Sequence, residues 1–144
     1  MEVSVGGMRV SYTFSVPFLE NKKLKRIVDS VREDVELQTF WRCANVMAIS
    51  RMGYTDHGPT HVKIVANSAL KILRILVNSG VVPNIVKDYN LTNEDAEVVV
   101  VLSSVFHDLG MVVTRRGMKS TVSCWLFVFC SGTFAQCTQK RRVL

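Results

Sequence analysis

The clearest hydrophobic pattern begins at residue 24 and predicts a helix. Apolar residues recur there at spacings of three and four, the period of one helical face: Leu24, Ile27, Val28, Val31, Val35, Phe40, Trp41, Ala44 and Met47. We expect a long amphipathic helix over about 24–50, either continuous or broken once. Residues 1–23 show only short runs such as "VSYTFSV". This stretch is expected to form a strand or an extended N-terminal arm.

A second helix is predicted over 61–79 from its start and stop signals. Gly58 belongs to a glycine-marked loop, and Pro59 suits the first position of a helix. Gly80 suits the position after its end. His61 therefore falls in the first helical turn.

A third helix is predicted over 93–109, after a connector that holds at most one short helical turn. Thr92 is followed three residues later by Asp95, which is the spacing of a capping box. The run "EVVVVL" favours a strand by propensity. The cap and the length of the segment favour a helix, so the chain as a whole is predicted to be all-α.

The connector turns the chain back, so helices 61–79 and 93–109 should pack antiparallel. Their lengths match, which brings the start of the first beside the end of the second. His61 lies at that start, and His107 and Asp108 lie at that end. Two imidazoles and a carboxylate are thus expected to converge.

Composition and charge narrow the class of protein. The chain is 48% hydrophobic over 144 residues, and none of its apolar runs approaches the ~20 residues that span a bilayer. The first ten residues do not resemble a signal peptide, and the four cysteines lack the C-x-x-C spacing of a zinc site. A cytoplasmic, single-domain protein with reduced thiols and no membrane partner is expected, with Cys43 buried as a small hydrophobe.

The formal net charge of +6 comes from one end of the chain. Residues 1–108 hold 12 Lys and Arg against 12 Asp and Glu, whereas residues 109–144 hold six basic residues and no acid. Residues 1–108 are neutral overall and show no row of basic residues, which disfavours nucleic acid as a partner.

His61, His107 and Asp108 carry the candidate chemistry. Imidazole nitrogen and carboxylate oxygen suit Mn, Fe, Zn, Ni or Co, and Mg where carboxylates and phosphate dominate. A bound divalent cation would lower the pKa of its water and polarise a phosphoryl oxygen. A His-Asp pair also arises by chance as a hydrogen-bonded pair at a helix end, and that simpler interpretation stays open.

The segments "DHGPTHVKIVANSALKIL" and "VVLSSVFHDLGM" resemble the HD superfamily of metal-dependent phosphohydrolases. The resemblance covers about residues 24–113. It implies an HD-like all-α bundle with His61, His107 and Asp108 as metal ligands. It also implies hydrolysis of a phosphate ester, often a nucleotide, by a metal-bound water, with Asp108 in the catalytic role.

Three further residues are candidates for substrate binding. His57 lies four residues before His61 and is expected to hydrogen-bond phosphate or shuttle a proton. Arg51 and Lys63 are cations near the expected site that suit a phosphate. The alternative for all three is an ordinary solvated side chain. The expected partner is a phosphorylated small molecule or a nucleotide, and a homo-oligomer remains an open expectation.

The chain departs from the HD pattern after Asp108. That pattern requires a later Asp, whereas the chain has no Asp, Glu or His beyond this residue. Two hypotheses follow: an HD-type phosphohydrolase, or a truncated HD-like fragment that binds metal or nucleotide without turnover. The predicted divisions are an arm at 1–23, a partial HD-like helical domain at 24–112 and an atypical tail at 113–144.

The tail has an unusual composition. It contains three of the four cysteines and the apolar run "CWLFVFC", which is an aggregation hazard. We hypothesise that the reading frame shifts near Met111, with a natural divergent tail as the alternative. Translating the other two frames of the coding DNA tests this hypothesis.

Overall fold

The computed structural model describes residues 13–112, and these residues are all-α, with no strand. The helices are α1 (Lys22–Glu33), α2 (Val35–Val46), α3 (Pro59–Asn78), α4 (Asn84–Tyr89) and α5 (Asn93–Phe106). A π-helical turn, Met47–Arg51, follows α2, and a 3-10 turn, Leu109–Val112, follows α5. None of the helices described is long and apolar enough to cross a membrane. The predicted tail at 113–144 lies outside the described residues.

The predicted helix over 24–50 is divided into three pieces. Asp34 adopts an extended conformation, and its carboxylate accepts a hydrogen bond from the backbone N–H of Leu37 at 2.8 Å. Asp34 therefore caps the start of α2, as short acidic side chains commonly do. The prediction that Cys43 is buried is wrong, because its side chain lies on the exposed face of α2.

The segment before α1 is extended and packs on the core. Phe14 and Val16 are buried, and the residues between and beside them are more exposed. This alternation is that of an extended chain with one face covered. The extended conformation matches one of the two alternatives predicted for the arm, and helix α1 begins at Lys22 rather than at residue 24. Residues 1–12 lie outside the described part of the chain.

Asn21 ties the start of α1 to α5. Its side-chain oxygen accepts from the N–H of Leu24 at 2.9 Å, which caps α1. Its amide nitrogen donates to the carbonyl of Glu94 at 3.0 Å and to the carboxylate of Glu97 at 2.9 Å. Asn21 is only 5% exposed, so this one side chain satisfies its own buried groups and joins two helices.

Helices α3 and α5 pack antiparallel, as predicted. At one end Arg74 of α3 pairs with Glu97 of α5, and at the other end His61 lies beside His107. The capping box between Thr92 and Asp95 is present. The valine run is helical, with Val101 buried and Val98 packed against the core, whereas Val99 is exposed.

Trp41 connects α2 to the same core. Its ring is 2% exposed, and its indole N–H donates to the carbonyl of Val105 at 3.0 Å. A buried indole needs such a partner. The contact fixes the C-terminal half of α2 against the end of α5, where the candidate site lies.

Candidate metal centre

The candidate centre lies between the start of α3 and the chain that follows α5. Gly58 precedes the first residue of α3, and Pro59 occupies its first turn, so His61 projects from the helix start. His107 and Asp108 follow the last residue of α5. The N–H of Met111 donates to the carbonyl of Asp108 at 3.0 Å, which begins the 3-10 turn. Two helix ends therefore present the three predicted ligands.

The three predicted ligand atoms lie close together. The Nε2 atoms of His61 and His107 are 3.3 Å apart. The Oδ2 atom of Asp108 lies 3.4 Å from Nε2 of His61 and 2.9 Å from Nε2 of His107. Ligands with bonds of about 2.0–2.2 Å to one ion are separated by about 2.8–3.6 Å in tetrahedral or octahedral geometry. The spacing of the three atoms therefore fits a divalent cation.

The Asp108 carboxylate is the most buried group of the centre. The residue is 8% exposed, and its Oδ2 atom lacks an aligned hydrogen bond among the described residues despite its short contact with His107. A buried carboxylate oxygen without a hydrogen bond is costly. Burial raises the pKa of Asp108, but the contact with His107 and the nearby His57 and His61 outweigh it, so the pKa is lowered overall.

His107 presents its Nε2 atom to the centre because its other ring nitrogen is occupied. Nδ1 lies 2.8 Å from the carbonyl oxygen of Ser104. Because this oxygen can only accept a hydrogen bond, Nδ1 must carry the proton and donate it. A neutral His107 then has a lone pair on Nε2, facing the carboxylate oxygen of Asp108. Two lone pairs at 2.9 Å require a proton or a metal ion between them. Backbone carbonyls orient metal-binding histidines in the same way.

The pKa values of the two predicted histidine ligands move in opposite directions. The side-chain contact with Asp108 raises the pKa of His107 despite its burial. Burial lowers the pKa of His61, and the attraction of Asp108 only partly offsets this. His61 is therefore neutral at a pH where His107 still holds a proton. A neutral imidazole is the form that binds a metal.

His57, which was predicted as a substrate contact, lies close enough to His61 and Asp108 to offer a metal ligand itself. His57, His61 and Asp108 each offer a ligand atom, and these atoms lie within 4.8 Å of one another. Nδ1 of His57 lies 2.7 Å from the carbonyl of Thr55, so its Nε2 atom carries the lone pair. Two triads, one with His57 and one with His107, thus share His61 and Asp108.

Asn45 holds the loop that carries His57, a role that the sequence analysis missed. Its side-chain oxygen accepts from the N–H of His57 at 2.9 Å. A Cβ atom at Gly58 would lie 3.1 Å from the Asn45 amide, so the glycine permits this close approach. The signal available in the sequence was Gly58 itself, between two histidines.

The two predicted cations, Arg51 and Lys63, are exposed. Arg51 is exposed at the end of the π-helical turn. Lys63 is exposed on α3 and lines a groove of about 170 Å³ with Trp41 and Arg42. Side chains two residues apart on a helix point in nearly opposite directions. Substrate binding by Arg51 and Lys63 stays a prediction.

Comparison with known proteins gives a relative whose name states no function. The chain is 44% identical over 91 residues to "Uncharacterized protein MJ1020" of Methanocaldococcus jannaschii. The alignment covers 63% of this chain and 35% of that protein, so the chain spans about a third of the length of this relative. No family model matches the chain. No solved structure matches it significantly.

Proposed function

We propose that this chain is an HD-type metal-dependent phosphohydrolase that acts on a phosphate ester. One observation carries the proposal. Two histidine nitrogens and a buried carboxylate oxygen, supplied by two helix ends, lie 2.9–3.4 Å apart. The resemblance of the surrounding segments to the HD superfamily supports the same assignment.

The residues of the centre fit a divalent cation. The three atoms form a triangle whose corners lie about 1.9 Å from its centre, just inside a bond of about 2.0–2.2 Å. His61, His107 and Asp108 would hold the ion, and the mixed nitrogen and oxygen set favours Mn, Fe, Zn, Co or Ni over Mg. When bound, the cation would lower the pKa of a water molecule and polarise a phosphoryl oxygen.

Residues around the centre would bind and orient the substrate. His57, once protonated at Nε2, would donate a hydrogen bond to a phosphate oxygen or transfer that proton, because its Nδ1 atom is held by the carbonyl of Thr55. Arg51 and Lys63 would contribute positive charge. Asp108 would orient the two imidazoles through its charge.

A second candidate function is binding of metal or nucleotide without turnover. The observation that favours it is the lack of any acidic residue or histidine after Asp108 in the sequence. Among the described ligand atoms the centre has one carboxylate, that of Asp108, and one anionic ligand holds a divalent cation less tightly than two. Turnover distinguishes this candidate from the first.

Metal analysis followed by an activity panel tests both candidates. The full chain is loaded with Mn²⁺, Zn²⁺ or Co²⁺, titrated by calorimetry and assayed against phosphomonoesters and nucleotides. The variants Asp108→Ala and His107→Ala should lose metal binding, whereas Asp88→Ala on the exposed side of α4 should not. Metal-dependent turnover supports the phosphohydrolase, and binding without turnover supports the second candidate. A chain that binds none of the three ions contradicts the phosphohydrolase, and a chain that binds neither these ions nor a nucleotide contradicts both candidates.

A further inference from the structure

A groove lies between the extended segment before α1, helix α2 and the first turns of α3. Its volume is about 170 Å³, and it is lined by Phe14 from the extended segment, by Trp41 and Arg42 from α2, and by Thr60 and Lys63 from α3. The side chains of the candidate metal centre are not among those that line it. The groove is therefore a feature that the proposed function leaves unused.

Side-chain hydrogen bonds hold the extended segment that forms one wall of the groove. The Nε–H of Arg32 donates to the carbonyl of Phe14 at 2.6 Å, and the amide of Asn67 donates to the carbonyl of Ser15 at 2.9 Å. The ring of Phe14 packs against that of Trp41, with centroids 5.8 Å apart, and both residues are buried. The walls are thus fixed before any ligand arrives, which lowers the entropic cost of binding.

Two cations and no acidic residue line the groove. Arg42 and Lys63 are exposed, and within residues 13–112 neither side chain forms an ion pair or a hydrogen bond. By contrast, Lys23, Arg32 and Arg74 each pair with a carboxylate. Two cations in one groove repel each other, and the buried apolar rings beside them reduce the screening of their charges. An anion bound between them would replace this repulsion with two attractions.

The side chains of the groove suit a compact oxyanion. A guanidinium group donates two parallel hydrogen bonds to a phosphate or carboxylate, and an ammonium group adds a point charge. The hydroxyl of Thr60 can donate a further hydrogen bond. The indole N–H of Trp41 is already bonded to the carbonyl of Val105, and the buried ring offers almost no face for stacking. An aromatic ligand is therefore disfavoured.

We propose that this groove is a second ligand site of the chain, and that it binds a small dianionic oxyanion through Arg42 and Lys63. Two positive charges match an ion of charge −2, and the site needs no metal ion. Inorganic phosphate, sulfate and a short dicarboxylate such as malonate share this chemistry. The inference goes beyond the proposed function, because it concerns neither the metal centre nor the substrate hydrolysed there.

Calorimetry on the metal-free full chain tests the proposal. The chain is dialysed free of metal and chelator and titrated at constant ionic strength, because salt screens exposed charges. The probes are phosphate, sulfate and malonate, with acetate as the monoanionic control. The dianions should bind saturably in the millimolar range and about tenfold more tightly than acetate, which lacks the second charge-assisted contact. The order of the three dianions distinguishes a tetrahedral ion from a dicarboxylate.

Substitutions locate the bound ion. Arg42→Gln and Lys63→Gln should each weaken dianion binding about tenfold, because each removes one charge-assisted contact. Lys71→Gln is the matched control, because it removes the same charge from an exposed position of α3 that does not line the groove. His61→Ala should bind the dianions as the wild-type chain does. Circular dichroism checks that each variant is folded.

Three outcomes overturn the proposal. A wild-type chain that binds no dianion in the millimolar range has no such site. Equal weakening in Lys63→Gln and Lys71→Gln shows that only the net charge attracts the ion. Loss of binding in a folded His61→Ala variant shows that the ion occupies the metal centre instead. Because no metal ion is present in these titrations, none of these outcomes counts against the proposed phosphohydrolase.

Discussion

Arg74→Ala should destabilise the chain more than the loss of an ordinary surface ion pair. The guanidinium group of Arg74 makes two hydrogen bonds to the carboxylate of Glu97, at 2.7 and 3.1 Å. The two side chains are only 21% and 17% exposed. Alanine at this position would leave Glu97 mostly buried with Asn21 as its remaining side-chain partner. The pair also joins α3 to α5 at the end opposite the candidate metal centre.

The expected loss follows from the burial of the pair. Removing one partner of a fully buried ion pair costs about 3–5 kcal/mol, because the other charge stays buried. Glu97 keeps some solvent contact and the hydrogen bond from Asn21, so we expect about 2 kcal/mol in the free energy of unfolding. For a chain of this size that corresponds to a fall of about 5–10 °C in Tm.

Urea denaturation followed by circular dichroism measures this loss, with Lys23→Ala as the control. Lys23 pairs with Asp95 at 2.6 Å, but its side chain is 52% exposed, so its removal should cost at most about 1 kcal/mol. Burial raises the pKa of Glu97, yet Arg74 and Asn21 outweigh it and lower the pKa overall. The stability that this carboxylate contributes is present above its ordinary pKa of 4.5 and is lost as pH falls. In Arg74→Ala the free energy of unfolding should therefore depend less on pH in the acid range. Equal losses of stability in Arg74→Ala and Lys23→Ala would refute the reasoning.

Three further predictions concern the centre and the helix caps. Mn²⁺ at a hundredfold excess over its Kd should raise the free energy of unfolding of the wild-type chain by about 2.7 kcal/mol, and thermal melts of His61→Ala should show no such rise. Gly58→Ala should cost about 1–3 kcal/mol, because the new Cβ atom would lie 3.1 Å from the amide of Asn45; an unchanged urea midpoint would show that the loop relaxes freely. The hydrogen bond from Lys23 is the main cause that lowers the pKa of Asp95 to about 2. The stability that the Asp95 carboxylate gives the folded chain should therefore be present above pH 3.8 and be lost as the pH falls towards 2. Acid titration of Asp95→Asn should lack this part of the pH dependence.

The sequence was most informative where one local signal and one periodic pattern agreed. The capping box at Thr92 and the stop at Gly80 bounded α3 and α5 closely enough to bring His61 beside His107. The lengths were predicted less well, because α3 has 20 residues and α5 has 14. The ligand atoms still converge, because His107 and Asp108 directly follow the end of α5 beside the start of α3.

Other features depended on side-chain contacts that periodicity does not report. The apolar period continues through Asp34, and only the hydrogen bond to the N–H of Leu37 shows that the carboxylate divides the helix there. Asn45 and His57 meet across a loop, 12 residues apart, through a bond to the backbone. A backbone contact of this kind leaves no pattern in the residue types. Asn21, in the predicted arm, was missed for the same reason.

The antiparallel packing of α3 and α5 also sets an electric field across the centre. The peptide dipoles of a helix place a partial positive charge at its N-terminus and a partial negative charge at its C-terminus. Here the positive end of α3, at Pro59, faces the negative end of α5, at Phe106. A cation is stabilised on the α5 side, beside Asp108, and an anion on the α3 side, beside His57. A paired cation and phosphate would therefore bind in one orientation, with the cation beside Asp108 and the phosphate directed towards His57.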